Sequence, residues 1–134
     1  MNRLTLKKAA YLFTLFSVIG SAQPVVAAGV GQEASITGRI IRSWGYITEN
    51  GSEMRRYLVA RPTIDGEPIR SAYLNACTGP SARQCEADGH GMVGIDREVA
   101  LGSRIDSFGL VTSIRKKLYY STYYMDAKGH IQAY

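Results

Sequence analysis

The sequence predicts a small all-β protein, built as a closed antiparallel barrel or as an open sandwich of two sheets. Strand-like segments are joined by short turns at two places, and at most one short segment has the periodicity of a helix. A length of 134 residues allows one hydrophobic core and excludes the larger cofactor-binding folds. With 46% hydrophobic and 20% charged residues, the composition is that of a globular domain.

Residues 1–28 are typical of a secretory signal peptide. Three basic residues precede the apolar segment 9–20, which is shorter than the ~20 residues of a membrane-spanning helix. Small residues follow, and we expect cleavage after Ala28. Residues 29–134 then form a single β-domain with no membrane span. A short basic leader is typical of bacteria, so we expect the protein in the periplasm or secreted.

The mature domain is less basic than the whole chain. Loss of three basic residues with the leader leaves thirteen Lys and Arg against eleven Asp and Glu, a net charge of about +2. A general attraction to nucleic acid or to a membrane surface is therefore weakly supported. Only a local basic patch could carry it.

Cys77 and Cys85 enclose a loop with a Gly-Pro pair, in a chain expected to reach an oxidising compartment. We therefore predict a disulfide, which stabilises the fold by about 2.6 kcal/mol if it acts on the entropy of the unfolded chain. A redox pair and half of a metal site are the alternatives. The spacing is not C-x-x-C, and His90 and His130 are the only imidazoles, so no cofactor or metal is expected.

The first hairpin follows the leader. Alternation over residues 36–48 predicts a strand, and Asn50 and Gly51 suit a type I′ turn before a second strand at 53–61. The residues expected to share one face of the first strand are Ile36, Gly38, Ile40, Trp44 and Tyr46. Pro62 is expected to end the second strand.

A turn is predicted at 64–68, where the chain reads Ile-Asp-Gly-Glu-Pro. Segment 69–76 has apolar residues at helical spacing but is short enough to be a strand, and both alternatives stay open. Residues 78–94 contain the cysteine loop and several glycines, which favours a long surface loop.

A second hairpin closes the chain. Residues 99–114 resemble a curved barrel strand with bends at Gly102 and Gly109. A basic turn at 115–117 leads to residues 118–125, which are rich in aromatic and β-branched side chains.

A further turn is expected at 126–129 and a last strand at 130–134. The predicted order is a hairpin, a third strand, a short helix or loop, and a closing hairpin. That order resembles the oligonucleotide/oligosaccharide-binding (OB) fold over most of the mature chain, without any family sequence motif. The resemblance implies a small barrel.

Tyrosines and cations are concentrated at the closing hairpin, which is the main candidate binding site. The candidate residues are Tyr119, Tyr120, Tyr123, Tyr124, Arg115, Lys116 and Lys117. Alternation places Tyr119 with Tyr123 on one face, and Tyr120 with Tyr124 on the other. One pair is expected to stay exposed and to stack on sugars, bases or apolar groups of a partner. The alternative is a sheet covered on both sides.

Trp44 is a further candidate for binding, although a single Trp in a small domain is more often part of the core. Arg55, Arg56 and Arg61 flank the second strand. Because alternation prevents all three from pointing the same way, we interpret them as a solvated face.

The function expected from these features is an exported, non-enzymatic module that binds a protein or glycan partner. A subunit of an envelope or secreted assembly and an inhibitor of an envelope enzyme are versions of this hypothesis, and the oligomeric state stays open. One alternative is an extracytoplasmic protein that binds single-stranded nucleic acid. Another is a small ribonuclease-like hydrolase that uses His90 and His130, although the spacing does not bring them together.

Overall fold

The computed structural model describes residues 28–78, 83, 85 and 98–134. The chain there forms six strands. They are β1 (Glu33–Ile47), β2 (Glu53–Ile64), β3 (Glu67–Pro68), β4 (Ser71–Cys77), β5 (Arg104–Lys116) and β6 (Ser121–Ala133). Residues 1–27 of the predicted signal peptide, most of the predicted 78–94 loop and His90 lie outside the described residues. Within those residues, no helix is both long and apolar enough to cross a membrane.

Five of the strands close a barrel in the order β1-β5-β6-β4-β2, and β2 returns to pair with β1. The short strand β3 pairs only with β2, outside the barrel. All barrel pairs are antiparallel except β4 with β6, which is parallel, so the barrel is mixed. The prediction of a small OB-like barrel is confirmed, with this parallel pair as its one departure from the expected antiparallel arrangement.

The barrel interior is filled by alternate side chains of each strand, as a half-buried strand requires. Tyr57 from β2 is fully buried and contributes the largest of these side chains. Its hydroxyl accepts a hydrogen bond from the backbone N–H of Val99 at 3.0 Å, which ties the segment before β5 to the core. Other completely buried residues include Ile36, Ile40, Val59, Ile64, Leu74, Val111 and Met125.

A bulge in β1 changes which residues face the core. Ile40 pairs with Val59, but Arg42 pairs with Leu58, so Ile41 is an extra residue in the first strand. One extra residue exchanges the two faces of a strand. The prediction that Trp44 lies on the same buried face as Ile40 is therefore wrong, because beyond the bulge the even-numbered residues point outward.

Segment 69–76, for which helix and strand were both open, is mostly strand β4. Ala72 and Leu74 are fully buried inside the barrel, while Tyr73 between them is only partly buried on the outside. The helical spacing of its apolar residues is therefore fortuitous, since Tyr73 does not belong to the buried set.

The turns of the closing hairpin are shifted from their predicted positions. Strand β5 continues to Lys116, and the turn spans residues 117–120, where the N–H of Lys117 donates to the carbonyl of Tyr120 at 2.8 Å. The predicted turn at 126–129 is wrong, because β6 runs through it with Met125 and Ala127 buried. The glycine of that segment adopts a positive φ inside an irregular stretch of the β5–β6 pairing rather than reversing the chain.

Stability should fall as the pH rises above about 10, the ordinary tyrosine pKa. Burial raises the pKa of Tyr57 and of Tyr123 above that value, so the folded protein holds both protons where the unfolded chain has released them. The part of the folding stability that depends on these two protonated tyrosines is fully present below about pH 10. It is lost as the pH rises through their pKa values in the folded protein. Urea unfolding of the parent and of Tyr123→Phe at several pH values checks this, and an equally steep alkaline loss in the variant would contradict it for Tyr123.

Candidate binding face

A row of aromatic rings crosses the outer face of the barrel. Tyr73 of β4 and Tyr124 of β6 are direct partners in the parallel pair, and their rings are stacked with centroids 5.0 Å apart. Trp44 of β1 meets Tyr73 edge-on at 5.9 Å. The barrel register thus brings together three rings that are well separated in sequence.

Arg56 lies at the centre of this row. Its Cζ atom is 5.4 Å from the ring centroid of Tyr46 and 5.8 Å from those of Tyr73 and Tyr124. Its Nε donates to the Oδ1 atom of Asn75 at 2.7 Å. Contacts with three rings and a nearly buried amide hold the guanidinium in one place, which favours a fixed binding site.

Two further arginines lie over rings of the same row. The Cζ atom of Arg42 is 5.6 Å from the Trp44 centroid, and that of Arg115 is 6.0 Å from the Tyr124 centroid. An acidic group, that of Asp126, accepts a hydrogen bond from the Asn75 amide at 3.4 Å. We refer to the seven residues that form this array as the aromatic-arginine face. They are Arg42, Trp44, Tyr46, Arg56, Tyr73, Arg115 and Tyr124.

A cavity of about 360 Å³ opens on the aromatic-arginine face where β2, β4, β5 and β6 meet. It is lined by Arg56, Asn75, Thr112, Ser113, Arg115 and Tyr124. The side chains of these six residues supply two guanidiniums, an amide, two aliphatic hydroxyls and one phenol ring. Such a set can hold an anionic group while hydrogen-bonding to neutral polar groups around it.

The structure divides the predicted tyrosine set. Tyr123 faces the core beside Met125, whereas Tyr124 faces outward and joins the aromatic row. Alternation correctly separates these two neighbours. Arg115 lines the cavity, and Trp44 stands at the far end of the row, so these sequence candidates are brought together with Tyr124.

The remaining predicted residues lie at the end of β5 and in the turn that follows it. Tyr119 is 89% exposed and Tyr120 is 42% exposed, with the guanidinium of Arg70 lying 5.1 Å from the Tyr120 centroid. Lys116 and Lys117 are exposed beside them. Since none of the four lines the cavity, the turn is separate from the central part of the face.

Sequence reasoning interpreted Arg56 as part of a solvated face and did not identify Arg42, Tyr73 or Asn75 as candidates. The Asn-Gly turn offered a signal for Arg56, because its register places Arg56 directly opposite Trp44. The adjacent Arg55 is instead paired with Glu98 at 2.9 Å, so the two neighbouring arginines have different partners. The sequence did not predict which way Tyr73 faces, because segment 69–76 is compatible with both a helix and a strand.

The cysteine pair forms the predicted disulfide at one end of this face. The Cα atoms of Cys77 and Cys85 are 6.5 Å apart, and both sulfurs contact the sulfur of Met54, at 3.6 and 3.5 Å. Tyr46, a member of the face, packs against this cluster. The disulfide therefore supports one edge of the aromatic row.

Replacing both cysteines by alanine should lower the free energy of unfolding by about 2.6 kcal/mol, because the unfolded chain gains the freedom of the opened loop. Urea unfolding of the variant Cys77→Ala/Cys85→Ala measures this. The parent protein in a reducing buffer is the matched control and should lose a similar amount. A loss below ~0.5 kcal/mol in both would contradict the prediction.

His130, one of the two histidines considered for catalysis, is exposed in a depression that Asp106 and Lys128 also line. The ammonium group of Lys128 is paired with Glu33 at 3.2 Å. No side-chain hydrogen bond joins His130 to another residue in the described part of the chain.

Comparisons with protein-family models, with curated proteins and with solved structures found no match to this chain.

Proposed function

We propose that this protein is an exported, non-enzymatic binding module and that its aromatic-arginine face binds an acidic glycan. The observation that carries the proposal is the cavity in which Arg56 and Arg115 flank the ring of Tyr124. A sugar carboxylate is the anionic group that such a site accommodates.

The lining matches the chemistry of a sugar acid. Guanidinium groups form charge-assisted, often bidentate hydrogen bonds with carboxylates. The hydroxyls of Thr112 and Ser113 are exposed and supply donors and acceptors for sugar hydroxyls, while the Asn75 amide is bonded to Arg56 and Asp126 and positions Arg56. A cavity of about 360 Å³ has room for one sugar unit, and the open row toward Trp44 leaves space for neighbouring units.

The arrangement of the rings favours a glycan over single-stranded nucleic acid. Proteins that bind single strands stack bases on open faces of aromatic rings. Here one face of Tyr73 is covered by Tyr124, and Trp44 is placed edge-on to it. Guanidiniums lie over Trp44 and Tyr124. The polar edges of the rings and the arginines are therefore more available than flat stacking surfaces.

The same lining favours binding over catalysis. The described residues that line the cavity include no carboxylate, imidazole or thiol, the side chains that most often act as general acid or base. The leader-like segment and the disulfide both support an exported protein.

Isothermal titration calorimetry with a uronic-acid oligosaccharide and its carboxyl-reduced, neutral counterpart tests the proposal. We expect the acidic sugar to bind at least tenfold more tightly, because one charge-assisted contact contributes ~1.5 kcal/mol or more. Arg115→Gln should lose about tenfold in affinity for the acidic sugar and little for the neutral one. Lys117→Gln and Tyr119→Ala are the matched controls in the neighbouring turn and should bind as the parent does.

A single-stranded oligonucleotide is the competing probe. Binding of the oligonucleotide with a steep log-linear dependence on salt, together with no binding of acidic sugars, would overturn the proposal in favour of nucleic acid. Equal affinity of Arg115→Gln and the parent for the acidic sugar would place the glycan site elsewhere on the molecule.

A further inference from the structure

A second cavity, of about 370 Å³, lies on the barrel wall at the bend of β1, where the strand pairs with both β2 and β5. It is lined by Gly38, Arg39, Ala60, Arg61 and Arg104. None of these residues belongs to the aromatic-arginine face or to its cavity. Three guanidinium side chains from three strands thus share one depression.

The position of two of these arginines is unfavourable without a counter-charge. Arg39 and Arg104 are direct partners in the antiparallel β1–β5 pair. Like charges directly opposite each other destabilise a sheet. Neither forms an ion pair with an acidic residue in the described part of the chain, where the two ion pairs involve Arg55 and Lys128. No carboxylate in the described part of the chain therefore lies within ion-pair distance of either guanidinium, although the backbone of Tyr134, the last residue, pairs with that of Arg104.

The backbone around the cavity is also specialised. Arg61 has a φ of 49°, in the left-handed region where a residue other than glycine, asparagine or aspartate is rarely found. Gly38 has a positive φ, and a Cβ atom there would collide with Val59 and come within 3.0 Å of the carbonyl oxygen of Ala60. The bend that collects the arginines thus depends on a glycine and on an uncommon arginine conformation.

One of the arginines is already fixed in place. A terminal nitrogen of Arg39 donates to the backbone carbonyl of Gly102 at 2.7 Å. A guanidinium has five N–H donors, so this contact leaves others for a ligand. Holding a cationic side chain in advance reduces the entropy that a ligand must overcome on binding.

We propose that this three-arginine cavity is a second binding site, and that its ligand is a doubly charged tetrahedral anion of the phosphate or sulfate type. Three cations around one cavity are better neutralised by a dianion than by a carboxylate, and tetrahedral oxygens offer each guanidinium its own acceptors. The site is independent of the glycan site, because the two cavities share no residue.

Thermal unfolding and calorimetry with inorganic sulfate and phosphate, at constant ionic strength, test this site. Both anions should raise the Tm of the parent, and acetate at the same concentration should not. In the variant Arg39→Gln/Arg104→Gln, affinity for sulfate should fall by at least tenfold, because charge-assisted contacts are lost. Without any dianion, Arg104→Gln alone should melt about 2–4 °C above the parent and bind sulfate more weakly, because it removes the cross-strand repulsion and keeps the hydrogen bond from Arg39 to Gly102.

A variant that melts above the parent is folded, so its weaker binding of sulfate reports loss of the site and not of the fold. Arg61→Gly provides a second separation, since it removes a guanidinium and relieves the left-handed arginine backbone. It should bind sulfate about tenfold more weakly without a lower Tm. Lys117→Gln removes one charge elsewhere and should leave sulfate affinity unchanged.

The anionic group could be free in solution or part of a lipid headgroup, and cosedimentation with vesicles of phosphatidic acid distinguishes the two. Cosedimentation that the double variant loses identifies the headgroup as a source, while binding of the free anions alone identifies a soluble ligand. No binding of either, or equal binding by the parent and the double variant, would overturn the proposal. Acidic-glycan affinity should be the same in the double variant as in the parent, and its loss would contradict two independent sites.

Discussion

Truncating Tyr57 to alanine should lower the free energy of unfolding by about 3–5 kcal/mol, the range for removing a large aromatic side chain from a core. The ring is completely buried among strands from both sides of the barrel, so its removal leaves a cavity that the closed sheet cannot collapse to fill. A loss of this size is a large part of the ~5–15 kcal/mol by which a domain is stable. Urea unfolding followed by far-UV circular dichroism measures it.

Tyr57→Phe is the matched control, because it keeps the ring and removes only the hydroxyl. The backbone N–H of Val99 then loses its acceptor, and we expect a cost of about 1–2 kcal/mol. The alkaline loss of stability should also become shallower in this variant, since a group with a raised pKa is gone. If Tyr57→Ala were no less stable than Tyr57→Phe, the packing of the ring would not stabilise the barrel as argued.

Much of the barrel could be predicted from local patterns. The Asn-Gly turn defines the first hairpin and its register, which continues uninterrupted from the pairing of Ile47 with Glu53 to that of Arg42 with Leu58. The alternation of Tyr123, Tyr124 and Met125 correctly separates the core face of β6 from its outer face. These features depend on contacts between neighbours in sequence or across a tight turn, which a single sequence makes visible.

The errors come from irregular backbone that tertiary contacts impose. The sequence around Ile41 does not indicate a bulge, because two consecutive isoleucines are common in a regular strand. The sequence does not show that the first is buried and the second is the extra, exposed residue. The segment from Asp126 to Gly129 has the composition of a turn, yet burial of Met125 and Ala127 holds it in the sheet. Tertiary packing overrides local turn preference at that point.

The candidate site was only partly predictable for the same reason. Its residues come from β1, β2, β4, β5 and β6, and the parallel β4–β6 pair that brings Tyr73 onto Tyr124 joins segments far apart in the chain. A count of tyrosines and cations located the Tyr124 and Arg115 side of the site. Only the closed barrel adds Arg56 and Asn75 at its centre.

Placing a methyl group on Gly109 should lower the free energy of unfolding by about 3 kcal/mol, toward the upper end of the range for overpacking. A Cβ atom at this buried position would lie 2.6 Å from the carbonyl oxygen of Asp126 on the neighbouring strand. Because that oxygen belongs to the backbone, the clash can be relieved only by moving β5 away from β6. Urea unfolding of Gly109→Ala measures the loss.

The same displacement should reach the proposed glycan site, because Ser113 and Arg115 are on β5 while Tyr124 is on β6. Gly109→Ala should therefore bind an acidic oligosaccharide several-fold more weakly than the parent at a temperature where both are folded. Gly45→Ala is the matched control: the nearest atom to its Cβ would be a terminal nitrogen of the flexible Arg55 side chain, at 3.3 Å, and the nearest backbone atom, the Met54 carbonyl oxygen, would be at an ordinary contact distance of 3.6 Å. If Gly109→Ala were as stable as the parent, the predicted clash with the Asp126 carbonyl would be contradicted. If that equally stable variant also bound the oligosaccharide more weakly, the binding site would be more sensitive than the core to small displacements of β5.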